Sequence, residues 1–225
     1  MSSEKLSKEK QDYKIHETED WIDALQLALP IFIIILYYHY VRRGIFLPFF
    51  IENDISFIYL ANKAFALTAV VMVVISVLIG PLASFFPSLG KKIGVRKEIG
   101  VVGFLLGIVH MILSFLYSSW SFNAAFLTGF LGLIFFSIIV LFAGTKQSMI
   151  NLGYKKWKAI QRLVWVALIF IVFHILVLGN LAGWKKWLSD PMATYYLPPG
   201  GLVITIFIFV GFLFRLIVFI KDRIK

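Results

Sequence analysis

The chain has no cysteine and little charge. Of its 225 residues, 15% are charged and 60% are hydrophobic, whereas soluble domains average about 25% charged and about 45–50% apolar residues. This composition is typical of an integral membrane protein. The absence of cysteine excludes disulfides, thiolate metal sites and iron–sulfur clusters. Only four histidines remain as strong nitrogen ligands for a metal.

Six long apolar runs occupy most of the sequence. A bilayer core about 30 Å thick requires roughly 20 residues of helix. The runs cover residues 21–40, 55–78, 99–117, 124–143, 160–181 and 202–220. They predict an all-α integral membrane protein, a six-transmembrane-helix bundle over residues 21–221. We expect a polar cytoplasmic leader, residues 1–20, that frays in solvent, and a cytoplasmic tail, residues 222–225.

The basic residues are distributed unequally between the two sides of this bundle. Seventeen of the 22 Lys and Arg residues flank the side that carries both termini, and five flank the other side. Because positive residues are retained on the cytoplasmic side, both termini are predicted to be cytoplasmic, in the cell (cytoplasmic) membrane. The net charge of +10 is then a consequence of orientation, and no nucleic-acid partner is predicted.

Two of the histidines, His110 and His174, lie inside apolar runs. His110 follows Arg96 by fourteen residues and His174 follows Lys158 by sixteen, which is roughly 21 and 24 Å along the two helices. Both are therefore expected in the outer half of the bilayer, at similar height. An ionisable residue inside a span indicates function by default, although each could be a hydrogen-bonded packing residue. Two imidazoles that face each other across a bundle can hold one haem b by its two axial positions.

Small residues share a helical face with His110. Gly100, Gly103, Gly107 and His110 follow a three-four-three spacing, which aligns them on one side of the third span. We expect Gly103 and Gly107 to leave flat space for a porphyrin beside the ligand. The same spacing is also typical of a close contact between two membrane helices.

Three stretches of the sequence resemble a known family. They are Gly80-Pro-Leu-Ala, Arg96-Lys-Glu-Ile-Gly ahead of His110, and Trp157-Lys-Ala-Ile-Gln-Arg-Leu-Val-Trp ahead of His174. Over residues 20–220 the chain resembles the ferric-reductase-like transmembrane domain, which occurs in NADPH oxidases, ferric reductases, STEAP metalloreductases and the membrane haem b subunit of bacterial periplasmic methionine sulfoxide reductase. The bacterial haem subunit is the most similar, since it also has no attached flavin domain. The resemblance implies that His110 and His174 are the axial ligands, and hence the metal ligands, of the outer haem.

The chain departs from the family pattern at the inner haem. Counting back from the outer ligands, the positions of the inner ligands are occupied here by Arg96 and Gln161, neither of which ligates haem. One haem b is therefore expected. STEAP-like relatives seat a flavin on the cytoplasmic side, which implies that Arg96, Lys97 and Arg162 bind a flavin or nucleotide phosphate. The positive-inside rule explains the same three cations equally well.

Two further residues are candidates for the site. Lys63 lies about eight residues into the second span from the outer side, where it is costly unless its amine reaches the interface or meets an anion such as a haem propionate. His39, at the outer end of the first span, could be a replacement ligand, a quinone-binding group or a proton carrier. A histidine among interfacial tyrosines is most often none of these.

With both axial positions occupied, a haem iron has no open site for substrate. The predicted function is therefore one-electron transfer by a redox subunit rather than by a stand-alone enzyme, and no catalytic residue is assigned. Electrons would pass from a quinol or a flavin or flavoprotein donor to an extracytoplasmic acceptor or partner reductase. The alternatives are a non-catalytic scaffold or anchor subunit of a larger redox complex, and a transporter of similar architecture.

Overall fold

The fold is built from helices. A computed structural model describes residues 3–42, 56–117, 123–194 and 196–224, and every regular element in these ranges is helical. The long helices are α1 (Ser3–Tyr40), α2 (Phe57–Ala83), α3 (Arg96–Tyr117), α4 (Ala124–Ala143), α6 (Tyr154–Ile175) and α8 (Gly200–Ile224), and the short ones are α5 (Lys146–Leu152) and α7 (Leu181–Ser189). Six helices in the described ranges are long and apolar enough to cross a membrane. The prediction of an all-α, multi-pass membrane protein is confirmed.

The polar leader is helical in the structure, since α1 begins at Ser3; that it frays in solvent stays a prediction. Residues 3–20 contain neither glycine nor proline and are rich in Glu and Lys, which are good helix formers. The apolar part of α1 that could cross a membrane is Glu19–Tyr40. The leader is therefore a polar extension of the first membrane helix.

The helical segment that contains the fifth span continues farther than its apolar run predicts. After α6 a π-helical turn, Leu176–Asn180, leads directly into α7. The chain therefore stays helical to Ser189, eight residues past the predicted end at residue 181. The two lysines of α7 are exposed while Trp184 is buried, so this segment has one polar and one apolar side.

The core is organised around α2, the most buried of the six spans. One cluster joins α2 to α4, α6 and α8 through Val74, Phe136, Leu168 and Ile208. A second cluster joins α2 to α1 and α3 and contains Ala24, Ala28, Met72, Ile99 and Val102. The most extensive pairings are α2 with α3 and α4 with α6, whereas α3 and α4 meet over a smaller area. The molecule thus contains two tightly packed helix pairs, and His110 and His174 belong to different pairs.

Helices α2 and α3 approach closely at Gly103. A Cβ atom on Gly103 would lie 2.9 Å from the carbonyl oxygen of Ala69 and 3.0 Å from Cγ2 of Val73. Farther along the same contact, the Ser76 hydroxyl donates to the carbonyl oxygen of Arg96 (2.6 Å), and Nε of Arg96 donates to the carbonyl oxygen of Ser76 (2.9 Å). Gly103 therefore serves the contact between two helices, rather than an open slot beside His110.

The outer surfaces of the spans are apolar. Large side chains such as Ile33, Leu116, Leu141 and Phe209 are more than half exposed. On a soluble protein so many exposed apolar side chains would mark an interface. On helices of this length they are suited to contact with the lipid bilayer.

Candidate functional site

His110 on α3 and His174 on α6 lie side by side between the two helix pairs. Their ring centroids are 6.4 Å apart and the ring planes are inclined by 75°. Both side chains are half-buried. The similar height that the residue counts along the two spans predict is therefore observed.

Each imidazole has its Nδ1 engaged by the polypeptide. Nδ1 of His174 is 2.7 Å from the carbonyl oxygen of Ala125 at the start of α4. A carbonyl oxygen can only accept, so this nitrogen carries the proton and donates. Nδ1 of His110 is 2.7 Å from Oδ1 of Asn62 on α2. In metal sites the second nitrogen of a ligating histidine is held in the same way, by a carbonyl or a carboxylate, which leaves Nε2 for the metal.

The spacing of the two rings fits one metal ion held between them. A metal–nitrogen bond of about 2.0 Å on each side places the ligating nitrogens about 4 Å apart, and the ring centres about 6 Å apart. The observed separation of centroids is 6.4 Å. No group of three or more His, Cys, Asp or Glu side chains converges in the part of the chain that the structure describes. A two-imidazole donor set is the one that six-coordinate haem uses, because the porphyrin supplies the other four nitrogens.

Two glycines border the histidines, with different amounts of space around them. A Cβ on Gly129 of α4 would lie 2.8 Å from Nδ1 and 3.0 Å from Cε1 of His174, so this ring rests directly on the backbone of α4. Around Gly107 the nearest atoms to such a Cβ are Cδ1 of Leu133 at 3.8 Å and Cβ of Ala69 at 4.0 Å. A Cβ on Gly107 would therefore make ordinary contacts with α4 and α2, whereas one on Gly103 would be too close to α2.

Sequence reasoning missed Asn62 and Gly129. Each lies on a different span from the histidine it contacts, so no spacing within one helix could reveal it. The sequence contains a weak indication of Asn62, because Asn62 and Lys63 are adjacent polar residues inside an apolar run. Nothing in the sequence distinguishes Gly129, since glycine is common in membrane helices.

Lys63 lies on α2, and His39 lies near the end of α1. Nζ of Lys63 is 4.8 Å from the ring centroid of Tyr59. His39 is 5% exposed, and its Cε1 would be 3.0 Å from a Cβ on Gly200, at the start of α8. His39 is thus a buried residue of the contact between α1 and α8.

The residues beside His39 reinforce that contact. The hydroxyl of Tyr38 donates to the carbonyl oxygen of Pro198. Nε of Arg42 donates to the carbonyl oxygen of Leu197 over 3.1 Å. The end of α1 therefore holds the segment that leads into α8.

A cavity of about 590 Å³ lies between α2, α3, α4, α6 and α8. The cationic side chains that line it are Arg96, Lys97, Lys158, Arg162 and Arg215, and none of the described lining residues is acidic. Trp157 and Trp165 supply flat apolar walls. Arg96 and Gln161 both face this space.

The cavity and the histidine pair are at different heights in the bundle. Arg96 precedes His110 by fourteen residues on α3, roughly 21 Å along the helix axis. The bundle therefore has a two-imidazole site toward one end and a cationic cavity toward the other.

No family model matches the chain, and a search of curated proteins finds no match.

Proposed function

We propose that the chain is a membrane haem b electron-transfer subunit with one haem held by His110 and His174. The observation that carries this proposal is the pair of imidazoles with ring centres 6.4 Å apart, each engaged by the polypeptide through Nδ1. The stretches that resemble the ferric-reductase-like transmembrane domain support the same function. When bound, a haem held by His110 and His174 would supply one-electron redox chemistry.

The surrounding residues hold the two ligands in place. The carbonyl oxygen of Ala125 and the amide of Asn62 fix the orientations of the rings. Gly129 leaves space for the ring of His174. Lys63, which follows Asn62 on α2, would neutralise a propionate. This function needs no catalytic side chain, because electron transfer depends on a bound cofactor and a partner protein.

The proposed orientation puts both termini in the cytoplasm and the histidine pair in the outer half of the cell membrane. The distribution of Lys and Arg, seventeen against five, supports this orientation. The cationic cavity supports it as well, because basic residues from three separate segments converge there.

The cavity is the proposed site of the electron donor. Arg96 and Arg162 would bind the phosphate of a flavin, with Lys97 beside them, because guanidinium groups pair well with phosphate oxygens. The lack of acidic groups in the described lining favours an anionic ligand. A membrane quinol is the alternative donor. A partner reductase on the extracytoplasmic side would take the electron, and a scaffold subunit without haem remains the alternative function.

Absorption spectroscopy tests the haem proposal. Protein purified from cells with ample haem should show a b-type Soret band, a sharp reduced α band and about one haem per chain, by the two-ligand count. His110→Ala or His174→Ala should abolish the bands. His39→Ala is the matched control and should retain them. Wild-type protein without either band would support the scaffold function instead.

Flavin titration tests the donor proposal. Arg162→Gln should weaken the binding of flavin mononucleotide about tenfold or more, because a hydrogen bond to a charged group contributes about 1.5–3 kcal/mol. Lys155→Gln, on the exposed first turn of the same helix, should not. Equal binding by wild type and both variants, together with rapid haem reduction by a quinol, would favour the quinol donor.

A further inference from the structure

The two histidines differ in what holds them. The ring of His174 is held by a backbone carbonyl oxygen, that of Ala125, which no substitution of that residue removes. The ring of His110 is held by the side chain of Asn62. One ligand therefore depends on a group that can be exchanged by mutation, and the other does not.

The Asn62 amide has a second contact, with Ser114. Nδ2 of Asn62 donates to the hydroxyl oxygen of Ser114 over 3.0 Å, and Oδ1 is the amide atom that faces the ring, 2.7 Å from Nδ1 of His110. The Ser114 hydroxyl itself is 3.5 Å from the same nitrogen, a longer and weaker contact. In this orientation the amide oxygen accepts, and His110 donates from Nδ1.

We infer that Asn62 is a positioning residue that selects the tautomer of His110 and tunes its strength as a ligand; this inference rests on the proposed haem function. With the proton on Nδ1, Nε2 carries the lone pair that a metal needs. A reversed amide would donate to Nδ1, put the proton on Nε2 and block ligation. An acceptor at Nδ1 also raises the basicity of the ligating nitrogen.

Two substitutions of Asn62 separate tuning from packing. Asn62→Leu keeps the branching at Cγ and removes the acceptor, and it should weaken haem affinity about 10- to 100-fold and raise the midpoint potential. Asn62→Asp replaces a neutral acceptor by an anionic one, so it should retain haem and lower the potential below that of wild type. Thr205→Val is the control, since Thr205 is also buried but donates within its own helix, to Gly201. The haem affinity and midpoint potential of this variant should equal those of wild type.

Nitrogen NMR of ring-labelled histidine in haem-free protein gives a readout that needs no cofactor. The wild type should show His110 protonated at Nδ1, and Asn62→Leu should show a mixture of tautomers. A proton on Nε2 of His110 in the wild type would overturn the inference.

The combined outcomes distinguish the inference from the function beneath it. If wild type binds no haem, the proposed function fails, and the inference about ligand tuning fails with it. If wild type binds haem while both Asn62 variants match it in affinity and potential, the function stands and the inference is overturned.

Discussion

Gly129 shows how closely a single residue can control the proposed ligand. It lies one helical turn after Ala125, whose carbonyl oxygen accepts from His174, and the ring of His174 occupies the space that a side chain at Gly129 would fill. The ring can therefore sit against α4 only because this residue has no Cβ.

Gly129→Ala should displace the His174 ring. The added Cβ would lie 2.8 Å from Nδ1, closer than the packed atoms can tolerate, so the hydrogen bond to Ala125 must lengthen. We expect about a tenfold or greater loss of haem affinity, measured by haem titration of the purified apoprotein.

Gly183→Ala is the matched control for that change. Nothing lies within 4 Å of a Cβ at Gly183, and alanine is favoured over glycine inside a helix by up to about 1 kcal/mol. Haem affinity should be unchanged and stability equal or slightly higher. Equal affinities of both variants and the wild type would show that the His174 ring is not held as described.

The two histidines were predictable from the sequence, but the residues that contact their rings were not. His110 and His174 stand out because imidazoles are rare in apolar spans, and residue counts give their depth. Asn62 and Gly129 act across helix contacts. Which side chains meet there depends on how the helices are rotated against each other, and one sequence does not contain that information.

At the scale of the helices, the glycine spacing of α3 has two different consequences. Gly103 is pressed against the backbone of α2, while Gly107, one turn later, has only ordinary contacts at 3.8 Å and beyond. Spacing alone predicted that both would border a porphyrin. The rotation of α3 relative to α2 determines which of the two glycines packs closely against α2.

Gly103→Ala should destabilise the bundle. Its Cβ would lie 2.9 Å from a backbone oxygen of α2, so the helices must separate, and such overpacking costs about 1–3 kcal/mol. Thermal unfolding of the haem-free protein in detergent should show a lower Tm. Gly107→Ala should change the free energy of unfolding by no more than about 0.5 kcal/mol, so its Tm should stay close to that of the wild type. If the two variants unfold at the same temperature, the close contact assigned to Gly103 is wrong.

At the scale of the whole molecule, the absence of native cysteine makes the orientation easy to test. Asn151 on α5 and Ser189 at the end of α7 are both exposed, and they are predicted to lie on opposite sides of the membrane. Ser189→Cys should react with a membrane-impermeant maleimide on intact cells. Asn151→Cys should react only after permeabilisation. The reverse pattern would place both termini outside.

The basic residues have a role beyond orientation at this scale. Their segregation to one side was evident in the sequence, but their convergence was not. Side chains from α3, α6 and α8 line one cavity of about 590 Å³, because the alternating directions of the spans bring the N-terminal ends of α3 and α6 beside the C-terminal end of α8. The basic residues that predict the orientation of the chain therefore also meet in one cavity.

The sequence by itself determined the number and the approximate limits of the membrane helices, since each depends on about 20 consecutive apolar residues. It also determined which two histidines lie at matching depth, because helix rise converts residue number into height. Only the tertiary structure decided the 6.4 Å separation of their rings, the acceptor at each Nδ1 and the difference in how closely Gly103 and Gly107 are packed. These features depend on the packing and rotation of neighbouring helices, which local patterns along one chain do not specify.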